Sequence, residues 1–304
     1  MRAAPGPRRW PRALRPGDRV AVVLPAGPPS PGLLATGLEV LRSWGLRVDA
    51  VEAGRHARLP YLAADDATRA ARLQEAWCDP EVAAVLCGRG GYGTLRMLDL
   101  LDWDAMAAAP PTLFVGSSDA TALHAVLGPR CGVVTLFGAM VATAAITDPV
   151  ATQHLHRALF DPHAALPAAG GARTLVGGRA TGVTAGGTLS LVVATLGVDA
   201  VPPPPDGAIV LLEDVAEAPY RIDRMLTHLL RAGWFDGVAG IALGSWKDCG
   251  PAEEVHEVMA DRLGPLGVPT VAGFGFGHCR GQLTLPLGAE AVLDADAATL
   301  LLRR

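Results

Sequence analysis

A serine between an apolar strand and a helix is the first feature of this sequence that could carry out chemistry. The run Thr112–Val115 predicts a strand, Gly116 a turn, and the segment from Asp119 the start of a helix. A serine at a helix N-terminus faces free backbone N–H groups and the positive end of the helix dipole, which stabilise a developing oxyanion. The sequence Gly-Ser-Ser-Asp nevertheless differs from the Gly-x-Ser-x-Gly motif of nucleophile elbows. One of the two serines could therefore be a nucleophile, or Ser117, Ser118 or Asp119 could only cap the helix.

A second glycine-rich turn, Cys87–Gly93, follows another apolar strand. Its residues Gly88, Gly90 and Gly93 formally satisfy the pattern Gly-x-Gly-x-x-Gly. A dinucleotide-binding fold places this pattern after its first strand, with an acidic residue about 20 residues farther on. Here two strand–helix units precede the turn, and the downstream region is the Ala- and Pro-rich segment Ala107–Pro111. A structural turn or a backbone donor site for an oxyanion is therefore favoured over a nucleotide site.

Carboxylates follow a buried-type strand in the second half of the sequence. Glu213 and Asp214 come directly after the apolar run Ala208–Leu212. Glu217 lies a few residues farther along. Functional groups in α/β proteins are commonly presented at this end of a strand, where a carboxylate can orient a catalytic imidazole. A solvated loop that caps the helix predicted from Tyr220 is an equal interpretation, and among the three carboxylates we favour Glu213 because it follows the strand directly.

A histidine ends the glycine-rich loop after the short strand predicted at Thr270–Ala272. His278 lies beside Cys279, but no second histidine or acidic ligand stands nearby at metal spacing, so a zinc site is not predicted. A lone histidine in such a loop is often structural. The order along the chain is nevertheless serine, acid, histidine, each on the loop after a strand, which suits a serine hydrolase.

The elements that must position these loops alternate between strand and helix. In the first half, apolar runs such as Val82–Cys87 and Thr112–Val115 are separated by segments with helical spacing. This alternation predicts an α/β fold whose N-terminal domain has a parallel sheet flanked by helices. We assign residues 1–142 to that domain and residues 143–180, which lack a clear period, to a linker. Residues 181–304 are assigned to a smaller C-terminal α/β domain that carries the acid and the histidine.

Composition limits the classes of protein to which this chain can belong. The 304 residues carry a formal net charge of −4, 50% are hydrophobic and 18% are charged. That balance supports a packed core and argues against a disordered chain and against a nucleic-acid partner, which would require clustered positive charge. The five scattered cysteines form no CxxC pair, and no apolar run predicts a secretion signal or a membrane span. A cytoplasmic protein with reduced thiols is expected.

Taken together, these motifs resemble the LD-carboxypeptidase family of serine peptidases, which also includes microcin C self-immunity proteins. The resemblance covers nearly the whole chain and keeps the motifs in order. From the N-terminus onward, the matching segments are Leu14–Val23, Arg89–Gly93, Gly116–His124, Leu212–Arg224, Gly277–His278 and Leu285–Gly288.

The resemblance implies a Ser–Glu–His triad at a cleft between two domains. The nucleophile of the family motif is the serine directly before the aspartate, which carries over to Ser118. The acid carries over to Glu213 and the base to His278, and the backbone N–H groups of Gly91 and Asp119 are implied as the oxyanion hole. The implied enzyme is a cytoplasmic homodimer without metal or organic cofactor. It removes the terminal D-Ala from muropeptide tetrapeptides during cell-wall recycling.

A carboxypeptidase must also bind the free terminal carboxylate of its substrate. Burying that charge without a partner is unfavourable, so a cationic or backbone-donor anchor is expected near the site. The candidates are Arg89, beside the implied oxyanion loop, and Arg221, on the helix after Glu213. Either arginine could instead form an ordinary ion pair or brace its own helix.

Three alternative functions stay open at the level of sequence. Within the family, the chain could cleave a peptidyl or aminoacyl nucleotide as an immunity protein, although its segment 218–224 is more similar to the carboxypeptidases. An oxidoreductase would bind a nucleotide at Gly88–Gly93, and an inactive relative would only bind a ligand. Two departures from the family pattern, Gln282 in place of an Asn and Ala26 in place of a Ser, leave the triad intact but make the fit of the substrate less defined.

Overall fold

Two β-sheets with helices around them make up the part of the chain that the structure describes. The computed structural model describes residues 8–50, 58–162 and 172–303. The strands are β1 (Arg19–Val23), β2 (Arg47–Ala50), β3 (Val82–Cys87), β4 (Leu113–Gly116), β5 (Thr135–Phe137), β6 (Arg173–Val176), β7 (Arg179–Thr188), β8 (Ile209–Val215), β9 (Gly240–Lys247), β10 (Thr270–Ala272), β11 (Leu285–Leu287), β12 (Glu290–Asp294) and β13 (Thr299–Leu302). The helices are α1 (Pro31–Ser43), α2 (Asp66–Cys78), α3 (Trp103–Ala108), α4 (Thr121–Cys131), α5 (Pro149–Phe160), α6 (Leu189–Ala194), α7 (Pro219–Arg231) and α8 (Ala252–Leu263). The predicted α/β class is confirmed, and none of these helices has the length and apolarity of a membrane span.

The first sheet is parallel apart from one edge strand. Its order is β11-β5-β4-β3-β1-β2, and only β11 runs antiparallel to its neighbour. β3 is buried along its whole length, as expected for a strand covered on both faces. One face carries a core that includes Trp77 and Leu123, and the other carries a core that includes Leu41 and Leu155. Helices α2 and α4 therefore cover one face, while α1 and α5 cover the other.

The second sheet combines a parallel centre with antiparallel edges. Its order is β13-β12-β7-β8-β9-β10-β6, in which β7 to β10 are parallel and the other three strands are antiparallel to their neighbours. Leu226 of α7 and Met259 of α8 pack in the core on one face. On the other face, Leu211 and Phe276 share a core with Phe137 of the first sheet. The two sheets are thus joined by apolar packing.

The predicted linker, residues 143–180, contains regular structure. Helix α5 lies in this segment and packs Leu155 and Leu159 into the core of the first sheet. Asp148 caps the helix by accepting hydrogen bonds from the N–H groups of Val150 and Ala151. A helix-start signal, an N-cap Asp followed by Pro149 at the first helical position, was present in the sequence but was hidden by the Ala-rich composition around it. Residues 163–171 of the predicted linker lie outside the described residues.

The two halves of the chain also interlock. β11 comes from the C-terminal half but pairs with β5 of the first sheet, with Leu285 opposite Phe137. The N–H of Gly281 donates to the Asp148 carboxylate at 3.2 Å. A boundary at residue 142 therefore does not separate the two sheets completely, and the loop that carries His278 is held against the first half.

Candidate active site

The turn between β4 and α4 holds Ser118 in an unusual backbone conformation. Ser117 is extended, with φ −152°, whereas Ser118 has φ +56°. A single 3₁₀ turn, Ser118–Ala120, then leads directly into α4. A non-glycine residue in the left-handed region costs about 1–3 kcal/mol and persists only where its surroundings hold it, as they often do at active sites. The strained residue is the serine predicted as nucleophile, even though the sequence lacks the Gly-x-Ser-x-Gly motif.

The glycine loop after β3 lies against this turn. A Cβ atom placed on Gly90 would be 2.9 Å from the Cβ and 3.1 Å from the Oγ of Ser118, so the close approach requires a glycine. The next residue, Gly91, has φ +109° and is exposed, and its N–H donates to no other described residue. An N–H group without a partner, in a loop that contacts the serine turn, is compatible with an oxyanion hole. The close approach to Ser118 accounts for the glycine at position 90.

Asp119 ties the glycine loop to the serine turn. Its side chain is buried and accepts a hydrogen bond from the Thr94 N–H at 2.8 Å. The Thr94 hydroxyl in turn donates to the Asp119 carbonyl at 2.5 Å. Burial raises the pKa of the Asp119 carboxyl, although the bonds from Thr94 act in the opposite direction. The side chain of Asp119 is therefore a structural tie, which holds the backbone of the implied oxyanion hole in place.

Glu213 and His278 form a carboxylate–imidazole pair in which the carboxylate is buried and the imidazole is partly exposed. Glu213 lies within β8, fully buried, and its Oε2 atom is 2.8 Å from His278 Nδ1. The same oxygen accepts the backbone N–H of His278 at 3.1 Å. Gly277 has φ +89°, and a Cβ there would overlap the Glu213 carboxyl, so a glycine is needed directly before the histidine. Burial alone would lower the pKa of His278, but the hydrogen bond and charge of Glu213 outweigh it and the pKa is raised.

The other two carboxylates of this region have different partners. Asp214 accepts hydrogen bonds from the N–H groups of Ser190, at 2.7 Å, and Val215, at 2.8 Å. Burial raises the pKa of Asp214 to about 6. Glu217 Oε2 lies 3.5 Å from the Arg221 guanidinium, four residues farther along the chain, and forms an ion pair with it. Of the three candidate acids, Glu213 is the one that the described structure places on the histidine.

A cavity of about 460 Å³ opens beside His278, between the two halves of the chain. The first half contributes Ser117, Met140 and Asp148 to its wall, and the second half contributes Lys247, His278 and Gln282 among others. Met140 also lies against the glycine loop, since its methyl carbon would be 3.3 Å from a Cβ on Gly90. The cavity is thus next to the serine turn as well as the histidine, and its volume suits a small organic ligand or short peptide.

The cationic side chains that line the cavity are not the two arginines predicted as carboxylate anchors. Arg89 is exposed and donates to the Pro28 carbonyl at 2.6 Å, and Arg221 is engaged with Glu217; neither lines the cavity. The basic side chains of its described lining are Lys247 and Arg280. Lys247 ends β9 and is the only lysine of the chain. Lys247 was not among the anchor candidates predicted from the sequence, although its position at the end of a central strand could have indicated a functional side chain.

The described residues contain no group of three or more His, Cys, Asp or Glu side chains that could hold a metal ion. The site brings together a serine turn, an imidazole, a carboxylate and backbone N–H groups. These are the components of nucleophilic acyl transfer.

The sequence is similar to carboxypeptidases over nearly its whole length. A Streptomyces coelicolor protein classed by name with the carboxypeptidases is 54% identical over 299 residues, which is 97% of this chain and 96% of that protein. The murein tetrapeptide carboxypeptidase of Pseudomonas aeruginosa is 31% identical and covers 91% of this chain and 94% of its own length. The crystal structure of muramoyltetrapeptide carboxypeptidase from Oxalobacter formigenes matches with a TM-score of 0.82 and 27% identity, over 93% of this chain and 97% of that one.

A more distant relative belongs to the immunity branch. The microcin C7 self-immunity protein MccF of Escherichia coli is 24% identical over 75% of this chain and 76% of its own length. Family profiles match both halves: the LD-carboxypeptidase N-terminal domain matches residues 20–138, and the LD-carboxypeptidase C-terminal domain matches residues 181–293. The resemblance predicted from the motifs is thereby confirmed, and this chain belongs to the LD-carboxypeptidase family.

Proposed function

We propose that this protein is a serine LD-carboxypeptidase that removes the terminal D-Ala from muropeptide tetrapeptides. Ser118 is the nucleophile, His278 the general base and Glu213 the acid that orients it. The observation that carries the proposal is the hydrogen bond of 2.8 Å between His278 Nδ1 and the fully buried Glu213 carboxylate. A carboxylate in that position fixes the imidazole tautomer, so that Nε2 is left to take a proton.

The proposed reaction proceeds by an acyl-enzyme. His278 Nε2 takes the proton of the Ser118 hydroxyl, whose oxygen attacks the carbonyl carbon of the bond before the terminal D-Ala. The N–H groups of Gly91 and Asp119 stabilise the oxyanion that develops. Collapse of the tetrahedral intermediate breaks the C–N bond, and the protonated imidazole gives its proton to the leaving amine. Water, activated by the same imidazole, then hydrolyses the ester and restores Ser118.

The substrate class is supported by the relatives and by the charge of the cavity. Two of the relatives above are named for murein or muramoyl tetrapeptides. Lys247 offers an ammonium group to the terminal carboxylate of such a peptide, because its nearest carboxylate, Asp248, is 3.9 Å away and both side chains are exposed. A cytoplasmic location, a role in cell-wall recycling and a homodimer are further parts of this proposal, and they come from the family resemblance.

An immunity-type hydrolase is the second candidate function. The relation to MccF supports it, and the basic side chains of the cavity are also compatible with a nucleotide on the leaving-group side of the scissile bond. The greater identity to the carboxypeptidases favours the first candidate.

A panel of substrates distinguishes the two functions. Tetrapeptides that differ at their third and fourth residues, and aminoacyl sulfamoyl nucleosides, are incubated with the protein and the products are read by mass. Release of D-Ala from the tetrapeptides, with the nucleosides left intact, is the expected result. Cleavage of the nucleosides without release of D-Ala would establish the second function, and Ser118→Ala serves as the blank for either reaction.

A further inference from the structure

The second oxygen of the Glu213 carboxylate has its own partner. In the register of β7 and β8, Thr188 lies directly opposite Glu213. The Thr188 hydroxyl donates to Glu213 Oε1 at 2.5 Å, while Oε2 serves His278. Thr188 is 2% exposed and Glu213 is fully buried. Water therefore does not replace this hydrogen bond if it is lost, and the carboxylate would then be held at one oxygen only.

The backbone of Thr188 is bonded to the helix that follows the serine turn. Its N–H donates to the Thr121 hydroxyl at 3.1 Å. Thr121 is the first residue of α4, three positions after Ser118, and is itself buried. Gly187 has φ +144°, and a Cβ there would be 2.6 Å from Thr121 Oγ1, so the two halves approach closely at this point. One buried residue of the second sheet thus contacts both the acid and the helix of the nucleophile.

We propose that Thr188 is a positioning residue, which holds the Glu213 carboxylate, and through it His278, in place relative to α4, the helix that follows the turn of Ser118. The proposal rests on the triad assigned under the proposed function. A carboxylate fixed at both oxygens cannot rotate away from the imidazole, and the hydroxyl donor also stabilises the charge of this buried carboxylate. Neither Thr188 nor Thr121 touches the reacting atoms, so both act through other residues.

Valine tests the hydroxyl because it has nearly the shape of threonine and no donor. Thr188→Val is expected to lower kcat about 10- to 100-fold, the range for one hydrogen bond to a charged group, with little change in KM. Thr188→Ser keeps the donor and is expected to restore most of kcat. A valine variant with wild-type kcat would overturn the proposal, and so would a serine variant as impaired as the valine variant.

The pH profile separates positioning from a merely structural role. A carboxylate that has lost one donor attracts the protonated imidazole of His278 more strongly, so the pKa of His278 rises. The acid limb of kcat/KM is therefore expected to move to higher pH in Thr188→Val. The other charged groups that act on His278 are unchanged in the variant: Asp214 raises its pKa and Lys247 lowers it. The adjacent Cys279 thiol, whose pKa burial raises to about 11, does not titrate in this range.

Thr184 provides the matched control. It lies on the same strand and is 1% exposed, and its hydroxyl donates to the Pro286 carbonyl at 2.7 Å, away from the acid. Thr184→Val is expected to lower thermal stability without moving the acid limb. An equal shift in both variants, or an unmoved or downward limb in Thr188→Val, would overturn the proposal.

A second readout keeps this test independent of substrate identity. The protonation of His278 in the free enzyme is followed by NMR titration in wild type, Thr188→Val and Thr188→Ser. A higher pKa of His278 in the valine variant alone supports the proposal even if no tetrapeptide is cleaved, in which case only the proposed function fails. An unchanged pKa together with active wild-type enzyme contradicts the role of Thr188 and leaves the proposed function standing. If Thr188→Val does not fold, Thr188→Ala is measured in its place with the same expectations.

Discussion

The adjacent residues Ser117 and Ser118 differ in backbone conformation. Ser118, two residues after the end of β4, occupies the left-handed region, whereas Ser117 is extended and 5% exposed. Ser118→Ala is expected to abolish release of D-Ala, because no other hydroxyl is held at this turn in that conformation. Ser117→Ala should keep most of the activity. The rates are measured by product mass, with circular dichroism to show that both variants are folded; the reverse order of activities would place the nucleophile at Ser117.

The acid is the second residue at which a substitution is decisive. Glu213→Gln keeps the size of the side chain but replaces a carboxylate that accepts from His278 by an amide, which favours the wrong tautomer. The expected loss in kcat is ~10⁴-fold, by analogy with other triads. Glu217→Gln is the matched control, since Glu217 pairs with Arg221 at the surface, and it should change kcat less than about twofold. Equal losses in both variants would contradict the assignment.

Lys247 is expected to determine affinity rather than chemistry. Lys247→Met keeps the length of the side chain and removes the ammonium group, so KM for a tetrapeptide with a free terminal carboxylate should rise about tenfold, as for one lost charged contact. The KM for the corresponding amide should not change. Arg221→Met controls for a general loss of positive charge, and a larger effect there would return the anchor to the residue predicted from the sequence.

At the scale of elements, the glycine loop and the serine turn are fitted to each other. Gly90→Ala would place a Cβ 2.9 Å from that of Ser118, and a displacement of the nucleophile by about an ångström costs ~10²-fold in rate. Gly275→Ala is the control, because a Cβ at Gly275, in the loop before His278, would meet nothing within 4 Å. Steady-state kinetics on both variants should show the loss in Gly90→Ala alone. Similar rates would mean that the loop moves freely away from the turn.

The elements also show which parts of the site were predictable from the sequence. The strand–turn–helix around Ser118 and the order of the three functional residues follow from local periodicity and turn chemistry, which the sequence carries directly. Glu213 was expected after its strand but lies within β8, because the strand continues past a register shift between Leu212 and Asp214. Thr188 could not have been found, since its role depends on the pairing of β7 with β8. Such a register is a long-range property that spacing along one strand does not encode.

At the scale of the whole molecule, the site depends on the way in which the two halves interlock. The serine turn and glycine loop belong to the first sheet, and the acid and histidine belong to the second. The return of β11 to β5 and the bond from Gly281 to Asp148 hold these halves together around the cavity. Local spacing does not encode this arrangement, because α5 and β11 pack against distant parts of the chain.

The most direct test of the central claim compares two forms of one peptide. A tetrapeptide with a terminal D-Ala and its C-terminal amide are each incubated with the wild-type protein, and kcat/KM is obtained from the mass of the tripeptide product. A carboxypeptidase that binds the terminal carboxylate should cleave the free acid ~10²-fold or more faster than the amide, because the amide lacks the charge that the enzyme recognises. Comparable hydrolysis of the acid and the amide would contradict the carboxypeptidase assignment and favour the immunity-type hydrolase.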